Sequence, residues 1–250
     1  MKSESPAIVT IGNFDGVHLG HQQLIGEAVD RARRLGLCSM AITFDPHPEQ
    51  VLFPERRQMY LSTPEERLEV LRATGIDQVW ICPFTTELAR LEPAEFMRMV
   101  ADRQPLAELW VGADFALGRG RQGTISVLSE LGSAAGWALH VVPPYRLLGQ
   151  VVSSTAIRTL LAAGAVRGAA DLLGRPYSVR GDLSGSEFTV DPQRALPRQG
   201  SYEAQLHHKG ATRDVRATVP TEPGRILLQG DVAATDTPSP ATLTFLRRAD

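Results

Sequence analysis

Residues 12–21 read Gly-Asn-Phe-Asp-Gly-Val-His-Leu-Gly-His and follow the apolar run 7–11. The apolar run predicts a buried strand, and the apolar positions after the stretch recur at helical spacing until Gly36, which predicts a helix that ends there. Glycines let the backbone approach phosphate oxygens, and the N–H groups and dipole of a helix N-terminus favour anions. The stretch therefore predicts a strand, turn and helix that bind nucleotide phosphates, with His18 and His21 as additional donors.

Two other interpretations of the histidine pair were weighed. Histidines three residues apart can bind zinc, but no cysteine or third histidine lies nearby in the sequence. They can also be half-buried core residues, as neutral histidines often are. Neither alternative explains why Gly12, Gly16 and Gly20 accompany the pair, so we favour phosphate binding.

The first two thirds of the chain alternate between short apolar runs and helical patterns. This alternation predicts an α/β fold, a Rossmann-like open parallel sheet with helices on both faces and ligands at the carboxyl ends of its strands. The expected strands are 7–11, 37–44, 78–81, 108–112 and 138–142, and the expected further helices are 63–74, 95–102 and 124–135.

After Pro176 helical periodicity disappears and short strand patterns separated by glycine, proline and polar residues remain. We expect a small all-β domain over 176–250 that follows a nucleotide-binding domain over 1–175. Its expected strands are 177–180, 202–207, 213–219, 226–228 and 243–246, with a loop at 233–240.

Composition narrows the class of protein. The 250 residues carry 26 basic and 28 acidic side chains, so there is no excess positive charge for a nucleic-acid partner. Cys38 and Cys82 lie within or beside apolar runs and read as core thiols of a reducing compartment rather than a disulfide. Residues 1–6 do not resemble a signal peptide, and no apolar run has transmembrane length. We therefore expect a cytoplasmic enzyme with no membrane partner; the oligomeric state stays open.

A second polar segment precedes a helical pattern at Ser153-Ser-Thr-Ala-Ile-Arg158. Its hydroxyl and N–H groups can cap the helix or bind phosphate, and Arg158 offers a planar donor fork for oxyanions. Taken alone, the segment is equally typical of an ordinary capped surface helix.

Two loops follow predicted strands. In Thr43-Phe-Asp-Pro-His-Pro48 the prolines rigidify the turn, so Phe44 and His47 could face a flat ligand, although a stiff exit loop would look the same. In Gly112-Ala-Asp-Phe115, Asp114 can accept hydrogen bonds from adenine, ribose or flavin.

Taken together, these blocks resemble the adenylyltransferase module of prokaryotic bifunctional riboflavin kinase/FAD synthetases, within the His-x-Gly-His nucleotidyltransferases. The resemblance rests on four blocks in the expected order, 12–21, 43–48, 111–123 and 153–158, with a weaker fifth at 173–177.

This resemblance implies that the phosphate of FMN attacks the α-phosphorus of ATP, forming FAD and releasing pyrophosphate. Mg²⁺ would enter with ATP and no direct metal ligand is assigned; Asn13 and Asp15 could order the loop or the water shell of the metal. The expected catalytic residues are His18, His21 and Arg158. The expected ATP contacts are Gly12, Asn13, Phe14, Asp15, His18, Gly20, His21, Gly112, Asp114, Ser154, Thr155 and Arg158. The expected flavin contacts are Phe44, Pro46, His47, Pro48, Asp114 and Phe115.

The chain departs from the family pattern in two places. Ala116 and Leu117 stand where an arginine and a phenylalanine are usual, a loss that Arg119 or Arg121 could offset. The Gly-Arg-x-x-Gly-x-Pro-Thr-Ala-Asn block of the kinase module is replaced by Gly-Asp-Leu-Ser-Gly-Ser-Glu-Phe-Thr-Val-Asp at 181–191. We therefore expect a degenerate kinase barrel, whose acidic residues Asp182, Glu187 and Asp191 form a solvated rim.

Two further functions stay open at this stage. One is a related nucleotidyltransferase that uses another nucleotide or phosphorylated acceptor, and the other is a non-catalytic flavin-binding regulator. The regulator is disfavoured because it has no evident need for the complete set of triphosphate-binding residues.

Overall fold

The strand β1 (Ala7–Ile11), whose five residues are all buried, lies at the centre of a five-stranded parallel sheet. The computed structural model describes residues 5–56, 58–232 and 237–249. By packing, these residues divide into a first unit, within 5–56 and 64–146, and a second unit, within 58–63 and 147–249. Each unit is described by itself.

The sheet of the first unit has the strand order β3-β2-β1-β4-β5. Its strands are β1, β2 (Cys38–Asp45), β3 (Gln78–Pro83), β4 (Leu106–Gly112) and β5 (Ala138–Val142). The helices are α1 (Leu19–Leu35), α2 (Pro48–Leu52), α3 (Pro64–Ala73), α4 (Thr86–Arg90), α5 (Pro93–Arg103) and α6 (Ile125–Ala135). The order reverses between β1 and β4, so the loops after these two strands lie at the topological switch point where such folds bind ligands.

Helices cover both faces of this sheet. The side chains of Val9 and Ile11 pack on one face in a cluster with Phe96 of α5 and Leu128 of α6. The opposite face is covered by α1, whose residues Leu24, Ile25, Ala28, Val29 and Ala32 are buried before Gly36 ends the helix in the left-handed conformation. The predicted Rossmann-like sheet is thus confirmed, with strand ends shifted by one or two residues.

The second unit contains α7 (Ser154–Ala162), α8 (Val166–Leu173) and a closed antiparallel barrel. A two-stranded hairpin of β6 (Arg146–Leu147) and β7 (Gln150–Val151) precedes α7. The barrel strands are β8 (Tyr177–Ser184), β9 (Glu187–Thr189), β10 (Gly200–His208), β11 (Ala211–Val219), β12 (Arg225–Gly230) and β13 (Ser239–Arg248). Alternate side chains fill the barrel, among them the fully buried Tyr202, Phe188 and Phe245.

The small all-β domain is therefore confirmed, with some differences in detail. The sequence pattern missed β9, which has only three residues, and the short helices α2, α4 and α8. The expected loop at 233–240 is wrong at its end, since Ser239 already begins β13; positions 233–236 lie outside the described residues. By packing, α7 and α8 group with the barrel. The expected functional boundary between 175 and 176 stays a prediction.

Other expectations concern cysteines and membranes. Cys38 and Cys82 are both free thiols, as predicted, and burial raises the pKa of each. Among the described residues, no helix combines the length and apolar character needed to cross a membrane.

A buried carboxylate ties α1 to the sheet. Glu108 of β4 accepts hydrogen bonds from Arg31 of α1 (2.7 and 2.9 Å) and from the indole of Trp110 (2.9 Å). His140 Nε2 of β5 lies 3.3 Å from the same carboxylate. Burial alone would raise the pKa of Glu108, but the hydrogen bonds of Arg31 and Trp110 outweigh it and hold the pKa below its ordinary value.

We predict that Glu108→Gln lowers the free energy of unfolding by about 1–3 kcal/mol, because it removes the charge that satisfies three buried or half-buried donors. Urea denaturation at pH 7 measures this change. The control is Asp30→Asn, which removes a solvated partner of Arg33 at 3.8 Å and should change the free energy by less than about 0.5 kcal/mol. Equal effects of the two substitutions would contradict a special role for Glu108.

Candidate active site

The turn between β1 and α1 carries the two histidines expected at the phosphates. His18 is the N-cap of α1, and its Nδ1 accepts a hydrogen bond from the backbone N–H of His21 at 3.3 Å. Because Nδ1 accepts, the neutral His18 ring carries its proton on Nε2. The hydrogen bond therefore fixes the orientation of the His18 ring at the start of the helix.

The rings of the pair are stacked. The His18 and His21 centroids are 3.6 Å apart with an interplanar angle of 16°, and Phe14 meets His21 edge-on at 5.2 Å. Burial is the main cause that lowers the pKa of His21 well below its ordinary value, and the repulsion that arises when both rings are protonated adds to it. His21 is therefore neutral at pH 7. Its Nδ1 is buried and lacks a hydrogen-bond partner within the described part of the chain.

The turn itself has an unusual backbone. Phe14 and Val17 have positive φ values of 49° and 39°, although neither is a glycine, and both side chains are buried. A β-branched residue with positive φ is a real outlier, and such strain concentrates at functional turns. The conformation is held by a hydrogen bond from Val17 N–H to Phe14 O (3.0 Å) and from the Gln22 amide to Val17 O (2.8 Å).

A buried arginine of α3 connects this turn to the end of β2. Arg67 is 4% exposed, and its two terminal nitrogens donate to the backbone oxygens of Asn13 (2.9 Å) and Phe44 (2.7 Å). The hydroxyl of Thr43 donates to the same Asn13 oxygen at 3.0 Å. Burial lowers the pKa of Arg67, an effect opposed by the charges of Asp15 and other nearby carboxylates.

Sequence reasoning did not identify Arg67 as a site residue. It lies in an ordinary amphipathic pattern with many other charged residues, and its partners are backbone oxygens distant in sequence. The only available signal was an arginine on the face of α3 that also carries the buried Leu71.

The loop after β2 contains the residues expected on the flavin side. Phe44 is buried and packs edge-on against Phe84, with ring centroids 5.5 Å apart. His47 caps α2, because its Nδ1 accepts from Glu49 N–H at 3.2 Å and its own N–H donates to Gln50 at 3.1 Å. Pro46 is exposed and Pro48 is half-buried. The assignment of these residues to flavin stays a prediction.

The loop after β4 lies at the switch point of the sheet. Asp114 is exposed and Phe115 is half-buried. Leu117, one of the two departures from the family pattern, is buried and pairs by backbone hydrogen bonds with Gly123. Arg121 donates to the backbone oxygen of Asp114 at 2.9 Å, and Arg119 forms an ion pair with Glu92 at 2.7 Å. The guanidinium of Arg119 is thus already paired with a carboxylate of the protein.

The first unit brings together several of the residues expected at ATP: Gly12, Asn13, Phe14, Asp15, His18, Gly20 and His21 in one turn, and Gly112 and Asp114 at the switch point. The others belong to the second unit, where they begin α7. Ser153 caps this helix, since its hydroxyl accepts from Ala156 N–H at 3.2 Å. Ser154 and Thr155 occupy the first turn, and Arg158 Nη2 lies 3.5 Å from the Thr155 hydroxyl.

Comparisons with known proteins give the family of this chain. A model of the FAD synthetase family matches residues 1–156. A protein of Listeria monocytogenes described as "FAD synthetase" is 30% identical over 203 residues, 81% of this chain and 82% of that protein. A "Bifunctional riboflavin kinase/FMN adenylyltransferase" of the same organism is 29% identical over 82% of this chain and 69% of its own length.

A Pseudomonas fluorescens relative with the same bifunctional description is 35% identical over 70% of this chain, but only 56% of its own length is matched. Among solved structures, one described as a macrolide-efflux protein from Streptococcus pneumoniae has a TM-score of 0.87 at 23% identity. It covers 99% of this chain and 86% of the other chain, and at that identity it supports the fold alone.

The parallel sheet and the histidine-bearing turn define a nucleotidyltransferase of the α/β class. Within that class, the chain belongs to the FAD synthetase family.

The lowered pKa of His21 predicts a pH dependence of stability. The unfolded chain binds a proton near pH 6.5 and the folded chain only at lower pH, so the His21 contribution to stability is present above 6.5 and decreases as pH falls. We expect the free energy of unfolding to fall by up to about 1.4 kcal/mol per pH unit from this group below pH 6.5. Urea titrations from pH 7.5 to 5.5 should show a shallower slope in His21→Gln. Identical slopes would contradict the buried neutral state.

Proposed function

We propose that this chain is an FMN adenylyltransferase, which transfers AMP from ATP to FMN and releases pyrophosphate. Its membership of the FAD synthetase family supports the class of reaction. The observation that carries the proposal is the stacked His18 and His21 pair at the start of α1, whose first turn contains no acidic residue.

The reaction needs no protein nucleophile. An oxygen of the FMN phosphate forms a bond to the α-phosphorus of ATP, and the bond from that phosphorus to the pyrophosphate oxygen breaks. Such transfers are accelerated by alignment of the reactants and by stabilisation of negative charge on the phosphoryl oxygens. The protein must therefore hold donors in fixed positions near the phosphates.

The turn after β1 meets this requirement. His18 is oriented by the hydrogen bond to its Nδ1, so its Nε2–H is a fixed donor for a phosphate oxygen. His21 is neutral and held between His18 and Phe14, so it offers phosphate a ring of fixed orientation rather than a positive charge. The N–H groups that begin α1 add the favourable end of the helix dipole.

Arg67 is a positioning residue in this proposal. It contacts the backbone of the turn through Asn13 O and the end of β2 through Phe44 O, and it balances the buried Asp15. The strained turn thereby keeps one conformation with or without nucleotide. Preorganised donors of this kind cost no reorganisation during the reaction.

Mg²⁺ belongs to the proposal as a companion of ATP. In the described residues, no group of three or more His, Cys, Asp or Glu side chains could hold a metal ion. The donor set therefore fits a cation that is bound chiefly by phosphate oxygens and water. Additional ATP contacts by Ser154, Thr155 and Arg158, flavin contacts by residues 44–48 and 114–115, and a cytoplasmic location complete the proposal.

We further propose that the barrel has lost riboflavin kinase activity. Where the family's phosphate-binding block is expected, β8 and β9 form a tight hairpin in which Ser184 pairs with Glu187 across Gly185 and Ser186. Gly181 lies so close to β9 that an added Cβ would be 2.1 Å from Thr189 O. Glu187 forms an ion pair with Arg225 at 3.0 Å, and Asp191 accepts from Gln193 N–H at 2.7 Å. These contacts support a structural role for the acidic residues.

We predict that His21→Ala lowers the turnover of FAD synthesis by roughly 100-fold or more, the scale expected when a preorganised donor is lost. Steady-state kinetics with ATP, Mg²⁺ and FMN, and chromatography of FAD, measure the effect. His207→Ala, on the exposed surface of the barrel, is the matched control and should keep the normal rate. A folded His21→Ala enzyme with near-normal turnover would contradict a catalytic role for His21. The substrate class is tested separately, by replacing FMN with other phosphorylated acceptors and ATP with CTP.

The kinase proposal has a direct assay. Given riboflavin, ATP and Mg²⁺ without FMN, the protein should form neither FMN nor FAD, because the hairpin of β8 and β9 stands where the family's phosphate-binding block is expected. A parallel reaction with FMN verifies that the preparation is active. Product above a heat-inactivated control in the riboflavin reaction would contradict the loss of kinase activity.

A further inference from the structure

A cavity of about 470 Å³ lies in the second unit between the start of α8 and three barrel strands. Nothing in the proposed reaction uses it. Among the described residues that line it, four are arginines and one, Glu203, is acidic. These residues are Gly164, Ala165, Val166, Arg167, Glu203, Arg216, Arg247, Arg248 and Ala249.

The acidic residue neutralises only one of the arginines. Glu203 of β10 lies opposite Arg216 of β11 and Arg247 of β13 in the two ladders. Arg247 donates to both carboxylate oxygens of Glu203 through Nε and Nη2. These hydrogen bonds, with a smaller contribution from the charges of Arg216 and Arg167, hold the pKa of Glu203 below its ordinary value.

The remaining arginines keep their donors available. Within residues 5–56, 58–232 and 237–249, neither Arg167 nor Arg216 forms a hydrogen bond or a contact ion pair, and both are exposed. Three positive charges thus remain unneutralised at one cavity of a chain whose formal net charge is −2. Concentrated charge of one sign in a concave site raises the local concentration of the opposite ion.

Two glycines allow the guanidinium of the fourth arginine, Arg248, to lie close to the backbone. An added Cβ on Gly164 would lie 3.2 Å from Arg248 Nη1, and one on Gly200 would lie 3.3 Å from Arg248 Nη2. Gly164 also has a φ of 79°, which side-chain-bearing residues adopt at a cost. The guanidinium of Arg248 therefore lies against backbone at the edge of the cavity.

The backbone at the start of α8 also favours an anion in this cavity. Ala165, the N-cap of α8, gives this helix no side-chain cap, and the first turn contains no acidic residue. The N–H groups that begin α8 are therefore directed to the side where Ala165, Val166 and Arg167 line the cavity. Arginine forks and helix N–H groups are complementary to phosphate oxygens.

From this arrangement we infer that the second unit has a binding site for an oligophosphate anion, separate from the turn that carries His18 and His21. None of the described residues that line the cavity is aromatic, so these residues offer no surface on which a flavin or a base would stack. The recognised group is a compact chain of two or three phosphates, either free or as the tail of a nucleotide.

Calorimetric titration of the full chain with pyrophosphate, ATP and AMP tests this site. The test variant is Arg167→Gln/Arg216→Gln, which removes two unneutralised arginines and leaves the Arg247 and Glu203 pair intact. The matched control is Arg213→Gln, a residue of the same strand β11 that pairs with Asp231 at 3.4 Å and does not line the cavity. Thermal melting verifies that each variant is folded.

We expect one pyrophosphate-binding component to weaken by about 10-fold or more in the double variant and by less than about 2-fold in the control, since each lost charged hydrogen bond is costly. His21→Ala should retain this component, so a failure of the proposed adenylyl transfer does not affect the result. AMP should bind much more weakly. Equal affinities of pyrophosphate and ATP would indicate a free oligophosphate, and tighter ATP binding would indicate a nucleotide tail.

Two results would overturn the inference. One is unchanged binding of pyrophosphate and ATP in the double variant. The other is loss of all pyrophosphate binding in His21→Ala, which would assign every binding event to the turn after β1. Hydrogen exchange of the peptide containing residues 164–168 adds a local readout, because bound phosphate should slow exchange at the start of α8 in the wild-type chain alone.

Discussion

The first unit depends on one short connection, the turn that joins the buried central strand β1 to the helix α1. β1 pairs with a strand on each side, which fixes its position in the sheet. Because only a short turn follows, α1 must begin within a few residues of the end of β1. The chain makes this reversal with positive φ at Phe14, Gly16 and Val17. Arg67 holds the turn by its hydrogen bonds to Asn13 O and Phe44 O. The position of the histidines depends on this junction.

The junction also explains the electrostatic character of the proposed active site. It consists of helix N–H groups, a neutral His21 and an oriented His18, which favour phosphate without a large net positive charge. Arg67, the buried cation beside this turn, is already engaged with backbone oxygens. In the proposed function, selectivity for a particular nucleotide or acceptor comes from the loops after β2 and β4, the second of which contains Ala116 and Leu117.

The second unit is built on a closed barrel instead of an open sheet. Its barrel buries alternate side chains and leaves the outer positions free to vary, and three neighbouring strands with α8 collect four arginines there. In our proposal, this barrel has lost the family's ligand site at the β8 to β9 turn and keeps positive charge at another part of its surface. The overall balance of 26 basic and 28 acidic side chains does not reveal this local concentration.

The sequence by itself determined the five parallel strands, the all-β character after Pro176, the helix that ends at Gly36 and the turn that carries His18 and His21, whose phosphate binding stays a prediction. These features are local, because periodicity, glycine and capping patterns act within a few residues. Only the tertiary structure decided the short strand β9, the bridge made by Arg67 and the arginine-lined cavity. A three-residue strand exists only because its neighbours supply hydrogen bonds, and side chains such as Arg67 and Arg216 acquire their roles from partners that are distant along the chain.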